Sequence, residues 1–456
     1  MSDIAVTAPA ASQSRGHHVR RTIALALPVM LARAGLVVML TVDTVLVGRA
    51  GGGELAFFAI STAPQLIMQT IGVGLLLGTV VLTAQADGAG RREECGRIWR
   101  LALLLAGSLG VIYSFVELHG EAVLRLLGQD QTIAQGGGRV LGMWAIGMPG
   151  IMLYMATTSF LEGISRTRPA MIVSLSANLL NFLLVWSLVS GRVGMPALGA
   201  AGAALGTSIT IWVMFLVLAG YALLLPEAKR FGIRAPLRGY YHLIGKLLLL
   251  GLPVALAVSF ETTAFSGATV MAGWMGETSL AAYQLSVNVT SFFYMLSLGF
   301  ATAAAVRVGN AVGSGDRLGV ARAGWLAVAM VVVLMTAIGL AIHFLRGEIA
   351  AIYTDDAAVT AAALPALAVL SFLIIFDGLQ GVLVGALRGA ADVILPTLSY
   401  ALAFWGFAVP LCYFLGYRQG WGAVGLAWGL VAGLILADIL LALRFAIVSR
   451  RPIRRF

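Results

Sequence analysis

Four carboxylates, Asp43, Glu261, Asp377 and Asp438, stand inside long apolar stretches of this 456-residue chain. A carboxylate at bilayer depth costs at least about 2.5 kcal/mol unless it faces protein, water or a partner. Removal from water favours the neutral form of an acid, so such a group can carry a proton. Ionised, it can ligate a small cation such as Na⁺ or meet a cationic solute. Glu261, eight residues past Pro253, and Asp377 lie too deep in their stretches to snorkel to the interface. They point to cation handling, against the plainer role of a hydrogen bond between helices. Asp43 lies nearer an end, where it could instead cap a loop. Asp438 is followed by Arg444, and the expectation for these two is an interfacial ion pair. Arg33 precedes Asp43 by ten residues, about 15 Å of helix, and has no partner identifiable in the sequence.

Other oxygen donors lie near these acids in the chain. Gln284 and Asn288 share one helical face, and Tyr294 follows. Amide and phenol oxygens beside two carboxylates would suit a hard monovalent cation. Singly, each serves equally well as an interhelical hydrogen bond, as do Asn178 and Asn181. Asp355-Asp356 reads as a solvated loop. Leu161-Glu162-Gly163 and Leu387-Arg388-Gly389 read as turns.

Several chemistries are excluded. No Gly-x-x-x-x-Gly-Lys-Ser/Thr loop is present to cradle a nucleotide phosphate. The five histidines show no metal-ligand spacing, and no K⁺-type filter sequence occurs. A membrane-embedded enzyme such as a transferase would need a metal or nucleotide motif. The chain is therefore read as a non-enzyme with no cofactor. Cys95, expected in a loop, and Cys412, expected in a helix, are not placed to form a disulfide.

The elements that position these residues follow from composition. Hydrophobic residues make up 60% of the chain and charged residues 11%, against about 25% charged in soluble proteins. The apolar residues form twelve blocks, near 22–47, 55–83, 98–118, 139–161, 170–190, 198–225, 247–272, 279–306, 320–344, 360–386, 395–416 and 422–443. Each is long enough for a spanning helix and too long for a barrel strand. The fold class is thus an all-α polytopic membrane protein with twelve transmembrane helices. The net charge of +10 does not indicate nucleic acid. With both ends placed inside, 23 of the 30 Lys and Arg fall in inside segments and 6 outside, which orients the chain with cytoplasmic termini.

The chain also contains itself twice. Leu25-Ala-Leu-Pro28-Val29 returns as Leu250-Gly-Leu-Pro253-Val254, and Gln85-Ala-Asp-Gly88 as Asn310-Ala-Val-Gly313, at one offset of 225 residues. Six helices per repeat is an even number, so the repeats are parallel, related by an axis along the membrane normal. The expected division is a disordered tail (1–20), an N-lobe (21–225), a basic linker (226–246), a C-lobe (247–445) and a basic tail (446–456), with the lobes flanking a central cavity. The intramembrane acids do not repeat: Asp43 aligns with Ala268, and Glu261 with Leu36.

VDTVLVG at 42–48, AQADGAG at 84–90, RVGNAVGSGD at 307–316 and FDGLQGVLVGALRGAAD at 376–392 resemble the multidrug and toxic compound extrusion (MATE) transporters, most nearly their NorM-type branch. The resemblance covers roughly 20–450. It implies a secondary antiporter of the bacterial inner membrane that exports cationic amphipathic compounds in exchange for Na⁺, favoured on this pattern, or H⁺. By motif position it assigns Glu261, Asp377 and Tyr294 to the cation, Asp43 to the N-lobe acid, and Gln284 to the drug path. Asn288 and Asn181 join the substrate set. It also assigns Asp355 and Asp356 to an acidic loop that meets cationic drugs in some relatives. Two departures stand out. Leu373 replaces a tyrosine one turn before Asp377, and Val185 replaces an Asp or Asn one turn after Asn181. The second shifts the expected ion site to the C-lobe. The alternative is a lipid-linked glycan flippase of the same layout, which would favour arginines in the cavity. Partners are then small molecules and lipid, with no nucleic acid, and the protein is expected to be monomeric.

Overall fold

The computed structural model describes residues 15–451 apart from Arg238, Thr354 and Asp355. Twelve helices are long and apolar enough to cross a membrane, one for each apolar block. They are α1 (Gly16–Gly48), α2 (Gly53–Gly88), α3 (Arg92–Leu118), α4 (Gln131–Gly163), α5 (Arg168–Ser190), α6 (Gly199–Leu223), α7 (His242–Trp274), α8 (Glu277–Ser314), α9 (Arg317–Tyr353), α10 (Ala357–Gly389), α11 (Ile394–Arg418) and α12 (Gly422–Arg450). The shortest, α5, has 23 residues, about 35 Å of helix, which exceeds a hydrocarbon core of roughly 30 Å. No strand occurs among the described residues. A helix satisfies its own backbone hydrogen bonds, as lipid requires.

Helices run past their apolar blocks. Thus α4 and α10 continue through Glu162 and Arg388 to Gly163 and Gly389, so the expected turns there are helix, and both charges face protein. Cys95 likewise sits in the first turn of α3, fully buried, and not in a loop. Both cysteines are free. At the opposite ends of α4 and α10, Asp130 and Asp356 act as N-caps. Oδ1 of Asp130 accepts from the backbone N–H groups of Thr132 and Ile133 at 2.8 and 3.1 Å, and Oδ1 of Asp356 from those of Ala358 and Val359 at 2.7 and 3.2 Å. Each satisfies donors that a helix start leaves free. Around Pro410, α11 loosens into π-helical turns over Ala401–Ala408 and Tyr413–Arg418.

Apolar side chains of α7–α12, joined by Leu25, Ala26, Val80 and Ala84 of α1 and α2, gather into one core; those of α1–α6 form two others, one of which takes in Leu243, Leu247, Leu250 and Val254 of α7. Where the bundles meet, the duplication becomes contact geometry. Gly88 of α2 packs on the backbone of Asn310 in α8, and Gly313 of α8 packs on the backbone of Gln85 in α2. These are the same two repeat positions meeting twice, as a two-fold axis between the halves demands. Gly74 against Ala255 and Gly299 against Met30 form a second reciprocal pair. A side chain at any of these glycines would collide with its partner; a Cβ on Gly74 would stand 2.7 Å from Ala255 Cα. All these approaches lie in the half of the molecule toward the face where α1 begins and α12 ends, here the terminal face. The linker is fastened to α3: Phe231 and Ile233 are buried, and Gly96 N–H donates to Phe231 O at 2.8 Å.

Candidate cation and substrate sites

The C-terminal bundle gathers the acids that the sequence separates. Glu261 of α7 is half-buried and Asp377 of α10 is buried, and their charges act on each other. One turn beyond Asp377, Gln380 Nε2 donates to Glu261 Oε1 at 3.4 Å. Tyr294 of α8 and Tyr400 of α11 lie within electrostatic reach of both acids. Asp377, Gln380, Val384 and Arg388 form one stripe of α10 by helical spacing, and Arg388 ends it as a buried cation. Two carboxylates, an amide and two phenols thus converge, with one long hydrogen bond to Glu261 and none to Asp377. The donor set is oxygen-rich and negative, which suits a proton or a small hard cation.

The N-terminal bundle holds a smaller cluster. Asp43 is 1% exposed, and Thr207 Oγ1 of α6 donates to its Oδ2 at 2.5 Å. Asn181 Nδ2 of α5 donates in turn to Thr207 Oγ1 at 3.0 Å. The structure therefore joins Asp43 and Asn181 through a threonine that sequence reading did not single out. Val185 is fully buried one turn on, against Gly206, and adds no oxygen. Asn178 is apart from this cluster and donates to Ser174 O at 2.8 Å.

Gln284 and Asn288 are exposed on the stripe of α8 that reaches Gly299 and its contact with α1. Asn288 Oδ1 accepts from Tyr353 Oη at 2.9 Å. Asp355 lies outside the described residues. Asp356 is at the far face as the cap of α10, the job Asp130 does for α4.

Two expectations about charge are corrected. Arg33 does have a partner: its Nη2 lies 3.9 Å from Glu162 Oε1, and its Nη1 donates to Met155 Sδ at 3.3 Å. Asp438 does not pair with Arg444, which reaches across to Asp392 Oδ2 at 2.5 Å. The reason in both cases is that helices at one depth are neighbours in space wherever they fall in the chain. Sequence reading also passed over Glu162 and Arg388, which occupy equivalent repeat positions with opposite charge. They act on each other across the seam between bundles, with Arg33 beside them. Close by, Gln85 Nε2 donates to Gly389 O at 3.0 Å, while Arg307 donates to Thr22 Oγ1 and, at 2.7 Å, to His18 Nδ1. Polar ties thus close the terminal side. Glu117, inside the third apolar block, was passed over as well; it is buried in α3 with neither oxygen bonded.

A model of the MatE family matches residues 28–187 and 253–414, one match in each half. The chain is 33% identical over 429 residues to the probable multidrug resistance protein NorM of Caulobacter vibrioides, covering 94% of this chain and 91% of that protein. It is 33% identical over 456 residues to a protein of the same description from Mesorhizobium japonicum, covering 98% and 97%. The fold is similar to the crystal structure of the eukaryotic MATE transporter AtDTX14, with a TM-score of 0.86, 21% identity, and 95% and 98% of the two chains covered. It is also similar to an outward-facing conformation of a multidrug resistance MATE family transporter, with a TM-score of 0.85, 19% identity, and 95% and 97% covered. Both halves match the family model, and relatives align over nearly the whole length. The chain therefore belongs to the MatE family, and is a multi-pass membrane transporter with NorM proteins among its relatives.

Proposed function

We propose that the protein is a secondary antiporter that exports cationic amphipathic compounds in exchange for Na⁺ or H⁺. The observation that carries this reading is the pair of Glu261, half-buried, and Asp377, buried, inside the C-terminal bundle with little hydrogen-bond compensation. Such a pair gains from an entering cation and resists holding two negative charges without one. The names of the NorM relatives support the drug class. The positive-inside bias supports cytoplasmic termini, and bacterial relatives support the inner membrane as its location. On that orientation the contacts and hydrogen bonds that join the bundles lie toward the cytoplasmic side. Rocking of the bundles about the seam would alternate access. A monomer suffices for this, and no cofactor beyond the exchanged ion is needed.

Each net positive charge moved inward down 100 mV releases about 2.3 kcal/mol, whereas a one-for-one exchange of monovalent cations moves no net charge and draws only on the concentration gradient of the exchanged ion. The flippase alternative asks for arginines free to meet phosphate. Arg33 and Arg307 are instead engaged by Glu162 and by Thr22 and His18. The test is transport of a fluorescent organic cation in proteoliposomes under imposed Na⁺ or H⁺ gradients, with wild type beside Asp377→Asn, Glu261→Gln and Asp43→Asn. Gradient-driven transport should fall sharply in the first two. Unchanged transport in all three variants would sink the carboxylate mechanism.

A further inference from the structure

Asp438, like Glu117, is a buried acid that the foregoing mechanism leaves unused, and it is the one beside Asp377. It is 4% exposed in α12, and neither carboxylate oxygen has a hydrogen-bond partner. An unpartnered carboxylate there costs several kcal/mol as an ion, and binding a proton removes that cost. Its place is not arbitrary. Asp377 and Asp438 each stand twelve residues before the end of their helices, on α10 and α12, which pack side by side. The helices packed on α12 offer Asp377 and Arg388 (α10), Tyr400 (α11), Glu261 (α7), Arg307 (α8), and Arg322 and His343 (α9). Among these described groups, Asp377 is the one whose charge acts on Asp438. Toward the terminal face a cavity of about 860 Å³ is lined by Arg444, Ser449, Asp392 and Arg317. Arg444 is six residues beyond Asp438, about 9 Å of helix. Its ion pair with Asp392 holds it at the cavity wall and away from Asp438.

We infer that Asp438 is a proton-carrying residue that connects the Glu261–Asp377 site to water at the terminal face, giving the C-terminal bundle its own exit route for the coupling proton. This rests on the proposed antiport and commits the exchanged ion to H⁺. One proton passes from the Asp377 carboxyl to the Asp438 carboxylate, and on from Asp438 toward water in the cavity, whose wall at Arg444 lies about 9 Å of helix further along. Atoms and charge balance, and no electron moves. The exit then needs no parting of the seam between bundles.

The test compares wild type with Asp438→Asn and Asp438→Glu in proteoliposomes, with a pH gradient as the only driving force and a fluorescent organic cation as probe. In Asp438→Asn the maximal rate should fall at least tenfold, while the half-saturating probe concentration moves less than twofold. Asp438→Glu should restore most of the rate with a shifted pH profile. The infrared difference spectrum of wild type minus Asp438→Asn should show a protonated carboxyl band at neutral pH. Equal maximal rates in wild type and Asp438→Asn would overturn the inference. So would loss of the rate in both variants alike, which marks a packing role, or the lack of that infrared band. Wild-type transport driven by Na⁺ but never by a pH gradient would overturn this inference and leave the antiport standing. Absence of any probe transport by wild type would overturn the antiport itself.

Discussion

The two bundles share one repeat plan and differ in how they hold the acids of their candidate sites. In the N-terminal bundle, Asp43 receives a 2.5 Å hydrogen bond on Oδ2 from Thr207, which is held in turn by Asn181, while its Oδ1 is buried without one. In the C-terminal bundle, Glu261 receives one long bond from Gln380, and neither Asp377 nor Asp438, whose two oxygens are both buried, receives one among the described residues. A carboxylate already supplied with donors gains less from an arriving cation than one left bare. Under the antiport proposed above, the difference favours the second bundle as the place where the exchanged ion binds.

The largest expected effect that tests this contrast is at Asp377. Asp377→Asn removes one charge of the bare pair, and hydrogen bonds to charged groups are worth about 2 kcal/mol. Apparent affinity for the coupling ion should therefore fall roughly 30-fold, read from the gradient dependence of transport. A fall under threefold would move the ion elsewhere. The inter-bundle charges come next. Glu162→Arg places three cations together at the seam, with Arg33 and Arg388. A cysteine at Ala84, in a background without Cys95 and Cys412, should then label several times faster from the terminal side. Adding Arg388→Glu should restore slow labelling. Equally fast labelling in the double variant would show that the charges do not hold the seam. Asp43→Asn should cost less than Asp377→Asn, about tenfold in transport efficiency, because an amide can keep a hydrogen bond to Thr207. An Asp43→Asn loss larger than that of Asp377→Asn would reverse the assignment of the two bundles. The smallest effect is at Asp356. Asp356→Ala removes a helix cap and should lower unfolding stability by about 1 kcal/mol in detergent, leaving affinity for the organic cation within twofold. A large loss of affinity at unchanged stability would restore the loop to the drug path.

Much of the scaffold was legible before any coordinates. Twelve apolar blocks became twelve helices, because backbone polar groups in lipid leave helix as the economical choice. The common offset of 225 residues reappears as reciprocal contacts such as Gly88–Asn310 and Gly313–Gln85. Glu261 and Asp377 could be selected by depth alone, since nothing cheap puts an acid there. Partners were less legible. Thr207 carries no signal in an Ala- and Gly-rich helix. Glu162 and Arg388 were misread as turn residues, because the apolar blocks end just before them while the helices do not. Helical spacing from Asp377 reaches Arg388 directly, so that signal was present and unused.

The sequence by itself determined the class of the molecule, its doubled plan and the depth of its principal acids. These are properties of one helix at a time, set by transfer free energies and helical rise. Only the tertiary structure decided which acid is answered and which is left bare: Thr207 on Asp43, Arg33 by Glu162, Arg444 turned to Asp392, and Asp438 alone. Those pairings depend on which helices become neighbours and on the rotation of each about its axis. Neither is written in the order of residues along a single helix.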